Sequence, residues 1–121
     1  MVMVDKLVKA EKGVVETTFV ISDDNVFCDQ GLFTEAGLVE NMAQTAAAGI
    51  GSKSDLKGKE PPVGFIGGIR NLKIKQFPNS GDEIFTRVTV EHEIFNASVV
   101  QGEIFIKDQL IASCQLKIFL T

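Results

Sequence analysis

Glu40 and Gln44 lie four residues apart, so on a helix they share one face. A carboxylate enclosed on such a face is costly to keep charged, and its pKa rises toward the range a general acid needs near neutral pH. The competing reading is a solvated stripe whose amide and carboxylate make structural hydrogen bonds. Gly64, Gly67 and Gly68 form a second group. Their N–H groups could polarise a carbonyl, or their missing side chains could admit a bulge or a close helix–sheet contact. They are no phosphate loop, because no helix follows and no Lys-Ser/Thr pair is present. Arg70, Lys73 and Lys75, with Lys53, Lys57 and Lys59 before them, concentrate positive charge, diluted by Asp55 and Glu60. Such a patch steers an acidic partner or simply discourages edge pairing of a strand. Cys28 has neither a His nor a helix N-terminus indicated beside it, which favours an inert thiol. His92 shares the side of its strand that carries Val90 and Ile94 and reads as a core-edge or hydrogen-bonded histidine, with a site role as the competing reading. One His and two unspaced Cys give no metal site, and no cofactor is indicated.

These residues need elements to hold them. Val14 to Ile21 is rich in extended-chain formers and ends at Ser22-Asp23-Asp24-Asn25. From about Thr34 to Ile50, Leu38, Met42, Thr45, Ala46, Gly49 and Ile50 recur at three- and four-residue steps, with Thr34 as N-cap and Glu35 on the dipole. Alanines keep this helix slim enough for a sheet to approach from several sides, and Gly49 and Gly51 are its expected stops. After Pro61 and Pro62 the chain reads as strand: Val63–Ile69 with Asn71–Phe77, then runs centred on Val88 and Ile104, and a last one from Leu110 to Leu120. Gly102 is a candidate bulge, and Lys107-Asp108-Gln109 a tight hairpin. One strand, one long helix and four or five antiparallel strands make an α+β chain with segregated elements.

The 121 residues amount to one domain, 1–121. A hydrophobic share of 45% excludes disorder as a description of the whole. Twelve basic against 16 acidic residues leave a net charge of −4, which argues against a nucleic-acid binder. No apolar run approaches the ~18 residues of a membrane span. Asp5 and Lys6 break the N-terminal run that a signal peptide would need, and two cysteines suit a reducing cytoplasm.

Leu38-Val39-Glu40-Asn41-Met42-Ala43-Gln44 resembles the central-helix motif of the 3-hydroxyacyl-acyl carrier protein dehydratases, an acidic residue followed shortly by Ala-Gln. Met3-Val4-Asp5-Lys6-Leu7-Val8 resembles the start of those enzymes, and Phe65-Ile66-Gly67-Gly68-Ile69 resembles the strand lining their acyl tunnel. The interval from Gly68 to Gly81-Asp82 also matches, with Ser80 where Pro is usual. The version here is most similar to the divergent branch associated with aryl-polyene-type lipid pathways. The resemblance implies a hotdog fold, a curved antiparallel sheet wrapped around the central helix, and a homodimer or a dimer with a second hotdog subunit.

It also implies an acyl thioester as ligand, carried on acyl carrier protein or on coenzyme A, in fatty-acid or polyene-type lipid synthesis. By the same resemblance Glu40 is the acid/base, Gln44, Asn25, Phe65, Gly67 and Gly68 bind substrate, and Arg70, Lys73 and Lys75 dock the carrier. One departure is large. The family's general base is a His in a loop before the helix, and Asn25-Val26-Phe27-Cys28-Asp29-Gln30-Gly31 has none. Elimination of water needs both a base and an acid. Three expectations therefore stand: a dehydratase with an altered base or a His-bearing partner, a thioesterase using a helix carboxylate, or a non-catalytic acyl-binding subunit.

Overall fold

The computed structural model describes residues 3–53, 64–94 and 97–120, with the backbone alone described at 49–53, 64–65, 94 and 120. Strands β1 (Lys6–Glu11) and β2 (Val14–Val20) come first, then a short ribbon of β3 (Cys28–Asp29) and β4 (Leu32–Phe33). Helix α1 (Glu35–Lys53) follows, and then β5 (Gly64–Ile74), β6 (Glu83–Ile94), β7 (Ala97–Ile106) and β8 (Gln109–Leu120). One six-stranded antiparallel sheet has the order β1-β2-β6-β7-β8-β5. The chain leaves β2, crosses the sheet through α1, and enters β5 on the far edge. The helix touches all six strands of this sheet. This is the hotdog arrangement.

Period-two burial builds the wrap. Val15, Thr17 and Phe19 of β2, Ile84, Thr86 and Val88 of β6, Val100, Gly102 and Ile104 of β7, and Cys114, Leu116 and Ile118 of β8 all face inward. Against them α1 sets Leu38, Met42 and Ala46, all buried. Burying a side chain such as Leu38 or Ile104 contributes about 1.5–3 kcal/mol. Gly102 is no bulge, since it pairs in register with Val88 and Cys114. Its role is space: a Cβ there would stand 2.5 Å from Met42 Sδ. The thin point therefore lies on the sheet as well as on the helix.

Several local readings change. β1 is an additional strand before the helix, joined to β2 through Lys12 and Gly13, both at positive φ (52° and 77°), as a two-residue hairpin requires. Lys107 and Asp108, at φ 48° and 68°, make the same kind of turn between β7 and β8. Helix α1 runs through Gly49 and Gly51 to Lys53. Each glycine costs about 1 kcal/mol against Ala without forcing a stop. Bulges lie elsewhere than at Gly102. The register between β6 and β7 shifts between Val90 and His92, and between β7 and β8 it shifts after Ile104, where Ile111 is the extra residue. Ile111 is buried, and Leu110 pairs instead with Phe105.

Candidate functional site

The carboxylate of Glu40 is half-buried on α1 and accepts a hydrogen bond from Gln44 Nε2 at 3.1 Å. Gln44 is itself oriented: its Oε1 accepts the main-chain N–H of Met3 at 2.6 Å. With the oxygen so committed, the amide nitrogen faces Glu40. Asn41, one residue along, is fully buried. Its Nδ2 donates to the Met3 carbonyl at 2.7 Å and its Oδ1 accepts from the Thr86 hydroxyl at 2.5 Å. Thr45 donates its single hydroxyl proton to the Asn41 carbonyl at 2.8 Å, so the Thr17 hydroxyl, 2.8 Å away, donates to Thr45. Asn25 closes the group from the loop: its Oδ1 accepts the Phe27 N–H at 2.8 Å, and its Nδ2 lies 3.5 Å from Met3 Sδ. The N-terminal segment is thus pinned to the helix by both main-chain groups of Met3. Among the described residues no buried side-chain nitrogen or oxygen lacks a partner.

Gln44 and Asn25 therefore both reach Met3, and Glu40 is tied to Gln44, while the strand candidates sit on or next to β5. Gly67 is the extra residue where the β5–β8 register shifts between Ile66 and Gly68, and a Cβ on it would come within 2.1 Å of the Phe119 ring. The missing side chain leaves room for that ring. Gly68 pairs with Lys117 and is open. The Phe65 backbone pairs with Phe119, and its side chain lies outside the described residues. Arg70 pairs with Gln115 and is exposed; Lys73, farther along β5, and Lys75, just past its end, are also exposed. Of the lysines before them, Lys57 and Lys59 lie outside the described residues, as does the Lys53 side chain.

A cavity of about 800 Å³ opens beside Gly67, Gly68 and Arg70, with His92, Val99, Lys117 and Phe119 among its lining residues. Glu40 does not line it. His92 is there because of the β6 bulge: the extra residue pairs His92 with the half-buried Val99 instead of continuing the inward series of Val88. It is exposed and is no core-edge histidine.

Neither thiol is an activated nucleophile. Burial pushes the Cys28 thiol up, and the negative charges of Asp23 and Asp24 add to it; Cys114 is fully enclosed and raised to about 11 by desolvation. No group of three or more His, Cys, Asp or Glu among the described residues is placed to hold a metal. No helix among them is long and apolar enough to cross a membrane.

Sequence reasoning missed the buried network of Thr17, Asn41, Thr45 and Thr86. A signal was there: each polar residue occupies a position in a series of apolar core residues, as Thr86 does between Ile84 and Val88. The main-chain role of Met3 left no trace in residue type.

The fold is shared with solved structures at low identity. A dehydratase heterocomplex, ApeI:P from Xenorhabdus doucetiae, aligns at 17% identity and TM-score 0.89, covering 99% of this chain and 83% of that one. A hypothetical thioesterase from Streptococcus pneumoniae aligns at 14% and TM-score 0.72, covering 96% and 89%. The Streptococcus mutans protein smu.793, bound to acetyl CoA, aligns at 17% and TM-score 0.69, covering 95% and 86%. No curated protein sequence matches the chain. The family model described as ApeP-like, ApeP dehydratase, matches residues 1–121, and the chain belongs to that family.

Proposed function

We propose that the chain binds an acyl thioester, borne by acyl carrier protein or coenzyme A, and works as a 3-hydroxyacyl-acyl carrier protein dehydratase-like subunit of lipid synthesis. The observation that carries this reading is Glu40: a half-buried carboxylate on the wrapped helix, aimed by an amide that the main chain itself holds. In the elimination a base takes the proton from the carbon beside the thioester carbonyl. Its electrons form the double bond, and the hydroxyl leaves as water with a proton from an acid. Glu40 fits the second role, donating to the departing hydroxyl and regaining its proton afterwards. Gln44 sets the direction of the carboxyl group, and Asn25, held beside Met3, is the loop residue we assign to the ligand's polar end.

The base comes from a second hotdog subunit carrying an imidazole. The chain's only His, on β6, lines the cavity that Glu40 does not reach. Edge strand β5 is the surface that would receive that subunit: Ile66 and Ile69 are 37% and 44% exposed there. Pairing at this edge would bring β5 of one subunit toward the helix of the other, uniting the glycine strand with the carboxylate. Gly67 or Gly68 N–H groups would then polarise the thioester carbonyl. Arg70, Lys73 and Lys75 would steer an acidic carrier. We place the reaction in a reducing cytoplasm, where both free thiols persist.

A second reading has an observation of its own. A lone carboxylate suffices to activate water or attack a thioester, whereas elimination needs two groups. The test offers 3-hydroxyacyl and saturated acyl thioesters to the chain alone and mixed with a His-bearing hotdog subunit. Elimination confined to the mixture is the expected result, and Glu40→Gln removes it. Hydrolysis of the saturated thioester by the chain alone selects the thioesterase. Tight binding without turnover in every arm selects an acyl-binding subunit. Elimination at unchanged rate in Glu40→Gln removes Glu40 from the mechanism.

A further inference from the structure

The cavity beside β5 differs in charge from the molecule around it. The chain carries a net charge of −4, yet Arg70, Lys117 and His92 all line this concavity, and among the described residues no Asp or Glu does. Adjacent Glu91 is engaged by the Gln115 amide, whose Nε2 donates to Glu91 Oε1 at 3.0 Å. The floor is apolar, made by Val99 and by Phe119, over which the Lys117 ammonium sits 5.2 Å from the ring centroid. That contact holds the lysine head over a ring already seated on Gly67, so one cation is positioned by the fold. The bulge between Val90 and His92 delivers the imidazole from the opposite side, and the register with Gln115 delivers Arg70. Three basic residues from three strands line one volume of about 800 Å³, which suits a small organic ligand.

We propose that this cavity is a binding site for a phosphoryl group carried on a small organic body. Arg70 and Lys117 contact the phosphoryl oxygens, His92 donates a further hydrogen bond, and Val99 and Phe119 bear the organic part. Planar Arg and compact Lys are the side chains that bind phosphate best, and a lining without a carboxylate among the described residues gives an anion no repulsion at close range. Nothing in this assignment depends on Glu40, and the site stands whether or not the helix carboxylate performs chemistry.

Backbone NMR of the full chain, titrated with pyrophosphate, 4′-phosphopantetheine, ADP and unphosphorylated pantetheine, tests it. The expected result is a set of saturable shifts at the Gly67, Gly68 and Lys117 amides for the phosphorylated probes, with pantetheine at least about tenfold weaker. The stronger of phosphopantetheine and ADP identifies which organic body the cavity accepts. Arg70→Gln and Lys117→Gln each weaken binding by about ten- to a hundredfold, as loss of a charge-assisted bond does. Lys107→Gln, on the turn between β7 and β8 and outside the cavity, leaves it within about twofold at moderate salt. Shifts spread over the lysines without saturation, pantetheine binding as tightly as its phosphorylated form, or Arg70→Gln and Lys117→Gln that fold and bind unchanged would each overturn the proposal. Glu40→Gln keeps the wild-type affinity; loss of binding there also overturns it.

Discussion

At the scale of single residues, Asn41 has the most to lose. Both ends of its amide are spent inside the protein, on Met3 and on Thr86, and it has no exposed surface. Truncation to Ala leaves a carbonyl and a hydroxyl without partners, each worth about 1–3 kcal/mol when unsatisfied. Asn41→Ala is therefore expected to lower unfolding stability by about 2–4 kcal/mol in urea titrations. A loss below ~0.5 kcal/mol would mean that water replaces the amide without penalty. Cys114 gives a prediction in pH. Its thiol is raised from 9.0 to about 11 by burial, so between those values the unfolded chain loses this proton while the folded chain keeps it. Stability from this source is complete below pH 9 and is lost as pH climbs through about 11. Melting curves across that window should fall less steeply in Cys114→Ala than in the wild type; parallel slopes would count against an enclosed neutral thiol.

At the scale of elements, the helix and the later strands were legible because burial there follows one uninterrupted period. Leu38, Met42 and Ala46 repeat at four residues, and Cys114, Leu116 and Ile118 at two. Legibility stops where one inserted residue turns the series over. Past the bulge near Glu91 the pattern no longer says which face His92 takes, and past Ile111 it no longer says where Leu110 points. Strand β1 escaped notice for another reason: Lys6–Glu11 is an edge strand with almost every side chain exposed, so no alternation marks it. The site was half legible. Glu40 and Gln44 announce themselves by helical spacing, but the main chain of Met3 that aims them carries no residue-type signal. The two glycines of β5 make a sharp comparison at this scale. Gly67→Ala drives a methyl into the Phe119 ring, whereas at Gly68 the nearest side-chain atom, Lys117 Cβ, is 4.0 Å away. Gly67→Ala should destabilise by about 1–3 kcal/mol, the range for overpacking. Gly68→Ala should be neutral or stabilising by up to ~1 kcal/mol through the reduced freedom of the unfolded chain. Equal melting temperatures for the two variants would show that Phe119 moves aside freely.

For the molecule as a whole, the decisive fact is that a sheet wrapped on one helix still ends in two open edges. β1 ends one side with a mixed face: Leu7 and Val8 are 40% and 50% exposed there, but Lys6, Lys9 and Glu11 flank them, and charges spaced along an edge resist addition of another strand. β5 ends the other side with Ile66 and Ile69 exposed, and its register to β8 leaves its outer hydrogen-bonding groups open to a further strand. The uncharged run from Gly64 to Ile69 has no counterpart on β1, and it predicts that association, with a second copy or with another hotdog subunit, goes through that part of β5. Ile66→Lys tests this without touching the phosphoryl cavity, which Ile66 does not line. Light scattering should give a dimeric mass for the assembly and a monomeric mass for the variant at the same concentration, with the helical circular dichroism unchanged. Because a two-subunit site needs both β5 and α1, the variant should also lose acyl-thioester turnover while keeping phosphopantetheine shifts at Gly68 and Lys117. A dimer that survives Ile66→Lys and is broken instead by Val8→Lys would move the interface to β1, and with it the reason for placing the glycine strand of one subunit against Glu40 of the other.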